Sequence, residues 1–185
     1  MKNDIDHDRS ELFRLLKDRA FSKGKFILSS GKESNFYLDA RIVTLSAPGA
    51  YLTARLMLDM VKEDHLDAIG GPTLGADPMV GAIASLSHQD GRPINTFIIR
   101  KQPKAHGKQQ QVEGPLLKEG GRVVIIDDVA TTGKAFVESI EVLQKMNISI
   151  IKAICVIDRN EGAHEALAKY KVPLNSIFTI ADFLQ

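Results

Sequence analysis

The sequence has one cysteine and no tryptophan. A single cysteine excludes an intrachain disulfide. Cys155 sits in the apolar run "IIKAICVID" and reads as a small buried hydrophobe rather than a catalytic thiol, which needs surroundings that stabilise thiolate. Long apolar runs are missing too: none nears the ~18 residues of a membrane span. The first residues, "MKNDIDHDRSELF", hold no apolar core of a signal peptide, so a cytoplasmic setting is the expectation. Charge of one sign is missing as well. Lysine and arginine total 24 against 23 aspartate and glutamate, a net +1, which gives no global field toward nucleic acid or an anionic membrane. There is no internal repeat and no low-complexity tract. No G-x-G-x-x-G opens a helix, and the Walker pattern fails because Asp128 and Ala135 stand where it needs glycine and a hydroxyl residue. No cage of histidine and cysteine is visible for a metal.

What is present is an alternation of strands and helices. "RSELFRLLKDRAF" puts Leu12, Leu15 and Leu16 on one face and predicts an opening amphipathic helix. Two short strands, "KFIL" and "NFYLDA", follow around the turn "SSGKES". A helix is predicted from about Pro48 to Glu63, with Pro48 in its first turn. Then come strand "DAIGG", helix "DPMVGAIASLSH", strand "NTFIIR", strand "RVVIID", helix "GKAFVESIEVLQKM", strand "SIIKAICVID", helix "GAHEALAKY" and strand "SIFTI". Such alternation implies βαβ units, hence an α/β fold with a mostly parallel sheet covered on both faces. The 185 residues suit one domain. Ligands of such sheets bind beyond the carboxyl ends of the strands, which singles out the loops after Ile69, Ile99 and Ile126.

The last of these, "GRVVIIDDVATTGKA", runs four β-branched residues into Asp127 and Asp128, then into small and hydroxylated residues before a helix. Adjacent carboxylates repel unless hydroxyl donors or a cation share them. Backbone N–H groups at a helix start make a phosphate cradle, and small residues let the backbone approach closely. Carboxylates beside such a cradle point to a ribose phosphate. An acidic N-cap box would need one carboxylate only and leaves the small-residue loop unexplained. The loop after Ile99, "RKQPKAHGK", gathers Arg100, Lys101, Lys104, His106 and Lys108 around Pro103 and Gly107, and the polar "QQQVEG" after it reads as unstructured. No aromatic interleaves these cations, which disfavours single-stranded nucleic acid; cations above a phosphate site would balance a pyrophosphate leaving group. The third loop, "GGPTLGADP", reads as a tight turn.

"VVIIDDVATTGKA" resembles the phosphoribosyl-pyrophosphate (PRPP) signature of type I phosphoribosyltransferases, and "RKxxKxHG" is similar to the loop motif of the orotate phosphoribosyltransferases. The resemblance runs from Leu28 to Gly162 and carries four motifs in order. It implies a parallel-sheet phosphoribosyltransferase core with a small N-terminal hood from about residues 1–45, and transfer of phosphoribose from PRPP to orotate in pyrimidine biosynthesis. It implies that Asp127 and Asp128 hold ribose hydroxyls, that Ala130, Thr131, Thr132, Gly133 and Lys134 wrap the 5′-phosphate, and that Val129 and Ala135 belong to the PRPP site. Thr73 and Leu74 would meet pyrophosphate across a cis peptide bond; some members carry a lysine in this loop, where Leu74 and Gly75 stand here. Arg100, Lys101, Lys104 and His106 would serve PRPP, with Lys104, His106 and Asp128 closest to the chemistry. From "DRNEG", Arg159 would read orotate, joined by Thr131; from "ILSSGKESNFYLDAR", Tyr37 would lie against its ring, and Ser29 stands where some members have lysine. Mg²⁺ is expected on PRPP through substrate oxygens and water, with no protein metal site. A homodimer sharing the 100–114 loop is expected, with no nucleic acid and no membrane as partner. Two other readings remain: a phosphoribosyltransferase for another nucleobase, and a non-catalytic regulator sensing PRPP or a nucleotide on the same fold.

Overall fold

The computed structural model describes residues 5–27, 33–102 and 111–185. Helix α1 (Ile5–Arg19) leads into an antiparallel hairpin of β1 (Phe21–Ile27) and β2 (Glu33–Leu38), followed by the single turn α2 (Arg41–Thr44) and helix α3 (Ala47–Met60). The alternating part comprises β3 (Ala68–Pro72), α4 (Asp77–Gln89), β4 (Asn95–Ile99), β5 (Val112–Glu113), β6 (Arg122–Ala130), α5 (Lys134–Lys145), β7 (Ser149–Asp158), α6 (Ala163–Ala168), β8 (Leu174–Thr179) and α7 (Ile180–Leu184). Six strands form one sheet in the order β5-β4-β3-β6-β7-β8. All neighbours are parallel except the β4–β5 pair.

The run "VVII" is apolar throughout because both faces of its strand are covered. Val124 and Ile126 enter a core with Leu12, Leu16, Met57, Met79 and Ile83, from α1, α3 and α4. Val123 and Ile125 enter the opposite core with Phe136, Ile140 and Leu167, from α5 and α6. Alternate residues thus serve opposite layers, as a period of two requires. Cys155 lies in the second core, fully buried, and burial pushes its thiol up. It is a packing residue.

Four expectations shift. The 48–63 helix starts one residue earlier, capped by Ser46, whose Oγ accepts from Gly49 N at 3.2 Å, and ends at Met60. β6 does not stop at the first acid: it carries Asp127, opposite Cys155, and continues to Ala130, opposite Asp158. The pair therefore lies within the strand's last four residues, held by the β7 ladder. The stretch "QQQVEG" is not wholly unstructured, since β5 pairs Val112 with Ile99 and Glu113 with Ile98. α2 and α7 are not apparent from periodicity; α7 is set by a capping box in which Asp182 Oδ2 accepts from Thr179 N at 2.8 Å and from Thr179 Oγ1 at 3.2 Å.

Candidate functional site

The carboxyl ends of β3, β4, β6 and β7 gather the loops that sequence reasoning singles out. At the end of β6 the two acids are pinned by local hydrogen bonds: Asp128 N donates to Asp127 Oδ1 at 2.9 Å, and Val129 N donates to Asp128 Oδ1 at 2.8 Å. Asp127 is buried. Burial pushes its carboxyl well above the usual range, and the charge of Asp128 beside it adds to the effect. Burial also raises Asp128, against the opposing pull of its hydrogen bonds and of Arg41. Both shifts are upward, so the ionised pair costs the fold stability relative to the unfolded chain. The cost is absent at acid pH and sets in as pH rises through the ordinary carboxylate range. A group that weakens the fold in this way needs a reason outside the fold, and donors from a ligand would supply one.

The 70–78 loop closes against the same pair. Thr73–Leu74 is a cis peptide bond, as expected. Thr73 N donates to Ile99 O at 3.0 Å and Thr73 Oγ1 to Asp77 Oδ2 at 2.7 Å, which ties the loop to β4 and to the start of α4. Gly75 is the closest approach. A Cβ there would fall well inside van der Waals reach of Asp127 Oδ1 and 2.6 Å from Asp128 Oδ1. Glycine at 75 is thus imposed by the acids, a feature sequence reading misses, and a lysine would not fit that position. Gly75→Ala must displace either the loop or the carboxylates. We expect it to weaken PRPP binding at least about tenfold, as a misplaced ligand group does, with folding retained; isothermal titration with PRPP checks this.

Beyond β6, Thr131, Thr132 and Gly133 lead into α5. Gly133 has φ 79° and occupies the N-cap, a conformation glycine adopts without penalty. A Cβ on it would press on Ala163 and Ala166 of α6 at 3.1 and 3.2 Å. The loop is closely backed by α6, and the α5 N-terminus, with Lys134 and Ala135 exposed, offers the amide-rich end that suits phosphate.

Arg159 follows β7 directly, and its N donates to Ala130 O at 2.9 Å. Its side chain is only 11% exposed. Nε donates to Glu161 Oε1 at 2.8 Å, and the guanidinium lies over the ring of Phe36, 4.9 Å from the centroid, a cation–π arrangement. Phe36, not Tyr37, is thus the hairpin residue that meets Arg159. Successive strand residues face opposite ways: the Tyr37 ring pairs instead with Phe26 at 5.6 Å. Below Arg159, buried Asp158 accepts from Asn160 N at 2.9 Å and faces His164 Nε2 at 3.0 Å.

Arg100 and Lys101 are exposed past β4. With Thr73, Asp77, Gln102 and Glu113 they line a cleft of about 780 Å³, within the ~300–1,000 Å³ typical of small-ligand sites. Lys104, His106, Lys108 and Ser29 lie outside the described residues. Of the 100–114 segment, the last part belongs to its own subunit's sheet: Arg100 N donates to Gln111 O at 2.8 Å, Gln111 Nε2 donates to Arg100 O at 2.9 Å, and Val112 packs on the second core. Among the described residues, no group of three or more His, Cys, Asp or Glu side chains is arranged to hold a metal ion.

Residues 49–183 match the phosphoribosyl transferase domain model. A protein of Aquifex aeolicus named orotate phosphoribosyltransferase is 41% identical over 180 residues, covering 96% of this chain and 98% of its own. The chain belongs to the orotate phosphoribosyltransferase family. Solved structures agree. The Mycobacterium tuberculosis orotate phosphoribosyltransferase in complex with Fe(III) dicitrate superposes with a TM-score of 0.84 at 36% identity, over 95% of this chain and 98% of that one. The same organism's enzyme in complex with PRPP gives a TM-score of 0.80 at 31% identity, over 96% and 99% of the two chains. The α/β architecture is that of type I phosphoribosyltransferases. No described helix is long and apolar enough to cross a membrane.

Proposed function

We propose that this protein is an orotate phosphoribosyltransferase of pyrimidine biosynthesis: orotate plus PRPP gives orotidine 5′-monophosphate plus pyrophosphate. The observation that carries the reading is the locally pinned pair of buried Asp127 and partly buried Asp128 facing Gly75, with the phosphate-type loop on one side and Arg159 on the other. Asp127 and Asp128 accept from the ribose hydroxyls. The end of β6 at Ala130, the loop 131–133 and Lys134 at the start of α5 hold the 5′-phosphate. The Thr73–Leu74 loop, Arg100, Lys101, Lys104 and His106 receive the pyrophosphate. Arg159 grips the orotate carboxylate with the edge of its guanidinium that Glu161 leaves over, and Thr131 and the Phe36 face of the hairpin close the base site. The bond from the anomeric carbon to pyrophosphate oxygen breaks and its electron pair leaves with pyrophosphate. A bond to an orotate ring nitrogen forms at that carbon, and the proton this nitrogen carried is released to the departing pyrophosphate or to water. The chain's main contributions are orientation and charge neutralisation.

Mg²⁺ fits this site as a passenger of PRPP. The donors at hand are two adjacent carboxylates rather than a cage, and Mg²⁺ commonly keeps waters and substrate phosphates as ligands. When bound it supplies further neutralisation of the pyrophosphate; no side chain is assigned to it directly. We read residues 1–185 as one domain, with about 1–45 as its hood, acting in the cytoplasm as a homodimer with the basic loop shared between subunits. Exposed apolar side chains support a partner copy: Ile42, Leu45 and Leu74, which line a second cleft together with Asp39, Arg41 and Asp77, are 52%, 71% and 63% exposed. The test is pyrophosphate release from PRPP with orotate, uracil, adenine and hypoxanthine in parallel. Orotate alone should support turnover; equal rates with another base would overturn the reading.

A further inference from the structure

Arg41 has no part in binding PRPP or orotate as assigned so far, yet it stands at the acid pair. It opens α2, two residues after Asp39, and its guanidinium is gripped along one edge: Nε donates to Asp39 Oδ1 at 2.9 Å and NH2 to Asp39 Oδ2 at 3.0 Å. Arg41 N also donates to Asp39 Oδ1 at 3.1 Å. This fork fixes where the charge points. Nε is 4.0 Å from Asp128 Oδ2, too long for a hydrogen bond and short enough for an ion pair. We propose that Arg41 is a positioning residue for the reaction: held by Asp39, it keeps the outer carboxylate, Asp128, charged and aimed across from Gly75, ready for the ribose hydroxyls.

Two local hydrogen bonds, with Asp127 and from Val129 N, also favour the charged form of Asp128, but neither brings a positive charge. Asp128 in turn repels Asp127 on the same strand. Asp39 contributes repulsion of its own, which Arg41 offsets. Cys155, under Asp127 on β7, is buried and uncharged, and Asp158 lies beyond it at the strand end. Asp77, which lines the cleft beside Arg41, adds a further negative group, and the 70–78 loop meets the acids with a glycine. Arg41 is the cation whose field lowers both carboxyls. Asp39, in turn, is drawn below its ordinary value by its hydrogen bond from Arg41, so the clamp remains charged where the pair itself is reluctant to ionise.

The inference rests on the PRPP assignment, and the experiment separates the two. Wild type, Arg41→Gln and Arg41→Lys are compared in steady-state kinetics with PRPP and orotate varied in turn, from acid to alkaline pH, beside thermal melts. Removing the cation raises the pKa of the carboxyls it faces, so the acid limb of kcat/KM for PRPP should move to higher pH in Arg41→Gln. At neutral pH KM for PRPP should rise about tenfold, the ordinary loss for one charge-assisted contact, while KM for orotate stays within about twofold and the melt is unchanged. Arg41→Lys should restore the limb in part, because a point charge survives without the fork. If Arg41→Gln depresses kcat/KM equally at every pH, or lysine restores nothing, the positioning role fails although the enzyme's activity stands. If wild type does not use PRPP with orotate at all, the functional reading fails first.

Discussion

Arg159→Ala should raise KM for orotate by about 30- to 900-fold and leave KM for PRPP close to wild type, which corresponds to roughly 2–4 kcal/mol for a charge-assisted contact to a desolvated carboxylate. The size follows from the burial of the side chain, 11% exposed, where solvent screens little. The direction follows from the acids lying on a different strand end, so the ribose contacts persist. Arg159→Lys should recover little. Lysine is not planar, cannot donate in a fork, and cannot lie flat over Phe36 while bonded to Glu161. Steady-state kinetics with each substrate varied decides it. An unchanged orotate KM would return Arg159 to the status of a strand-end charge held by Glu161 and Phe36 for packing alone.

The layered core was legible because an apolar run without alternation leaves no strand face for water. "VVII" and "ICVI" had to be covered on both faces: the residues of "VVII" divide between the two cores as a period of two demands, and "ICVI" also reaches both, through Cys155 on one side and Ile154, Val156 and Ile157 on the other. The acid pair was legible for a related reason, since two charges at a buried strand have no structural use. What the sequence concealed depends on partners distant in the chain. β5 is two residues long and exists because the edge of β4 offers ladder partners to Val112 and Glu113; no periodicity can announce it. Gly75 looks like any turn glycine until Asp127 and Asp128 are seen against it. Tyr37 and Phe36 are adjacent aromatics, and only the hairpin register decides which faces Arg159. Arg41 could have been suspected from "LDAR", an acid and a base two apart, but its distance to Asp128 is a tertiary fact.

Lys104→Ala alone and Asp128→Asn alone should each be nearly inactive, and their equal mixture should regain about a quarter of wild-type activity once subunits exchange. The acids are fixed at the end of β6 by bonds within one subunit, so Asp128 serves its own site. Lys104 belongs to the basic segment proposed to reach the neighbour's PRPP site, between strand ends that are tied together at Arg100 and Gln111. Those ties mean that only the residues between them can cross to a partner; Val112 and Glu113 cannot, because they pair with their own β4. In a randomly exchanged mixture about half of the dimers are mixed. Each mixed dimer has one site with intact Asp128 and a partner's intact Lys104, and one site lacking both, as a two-fold assembly dictates. One good site in two, in half the dimers, gives the quarter. Loss of transition-state charge stabilisation of this kind ordinarily costs about 10²–10³ in rate, so the homodimeric background should not obscure the recovery. Activity is read as pyrophosphate release, and native mass spectrometry measures heterodimer content. A mixture that stays inactive although heterodimers are present would place Lys104 in its own subunit's site and end the shared-loop model.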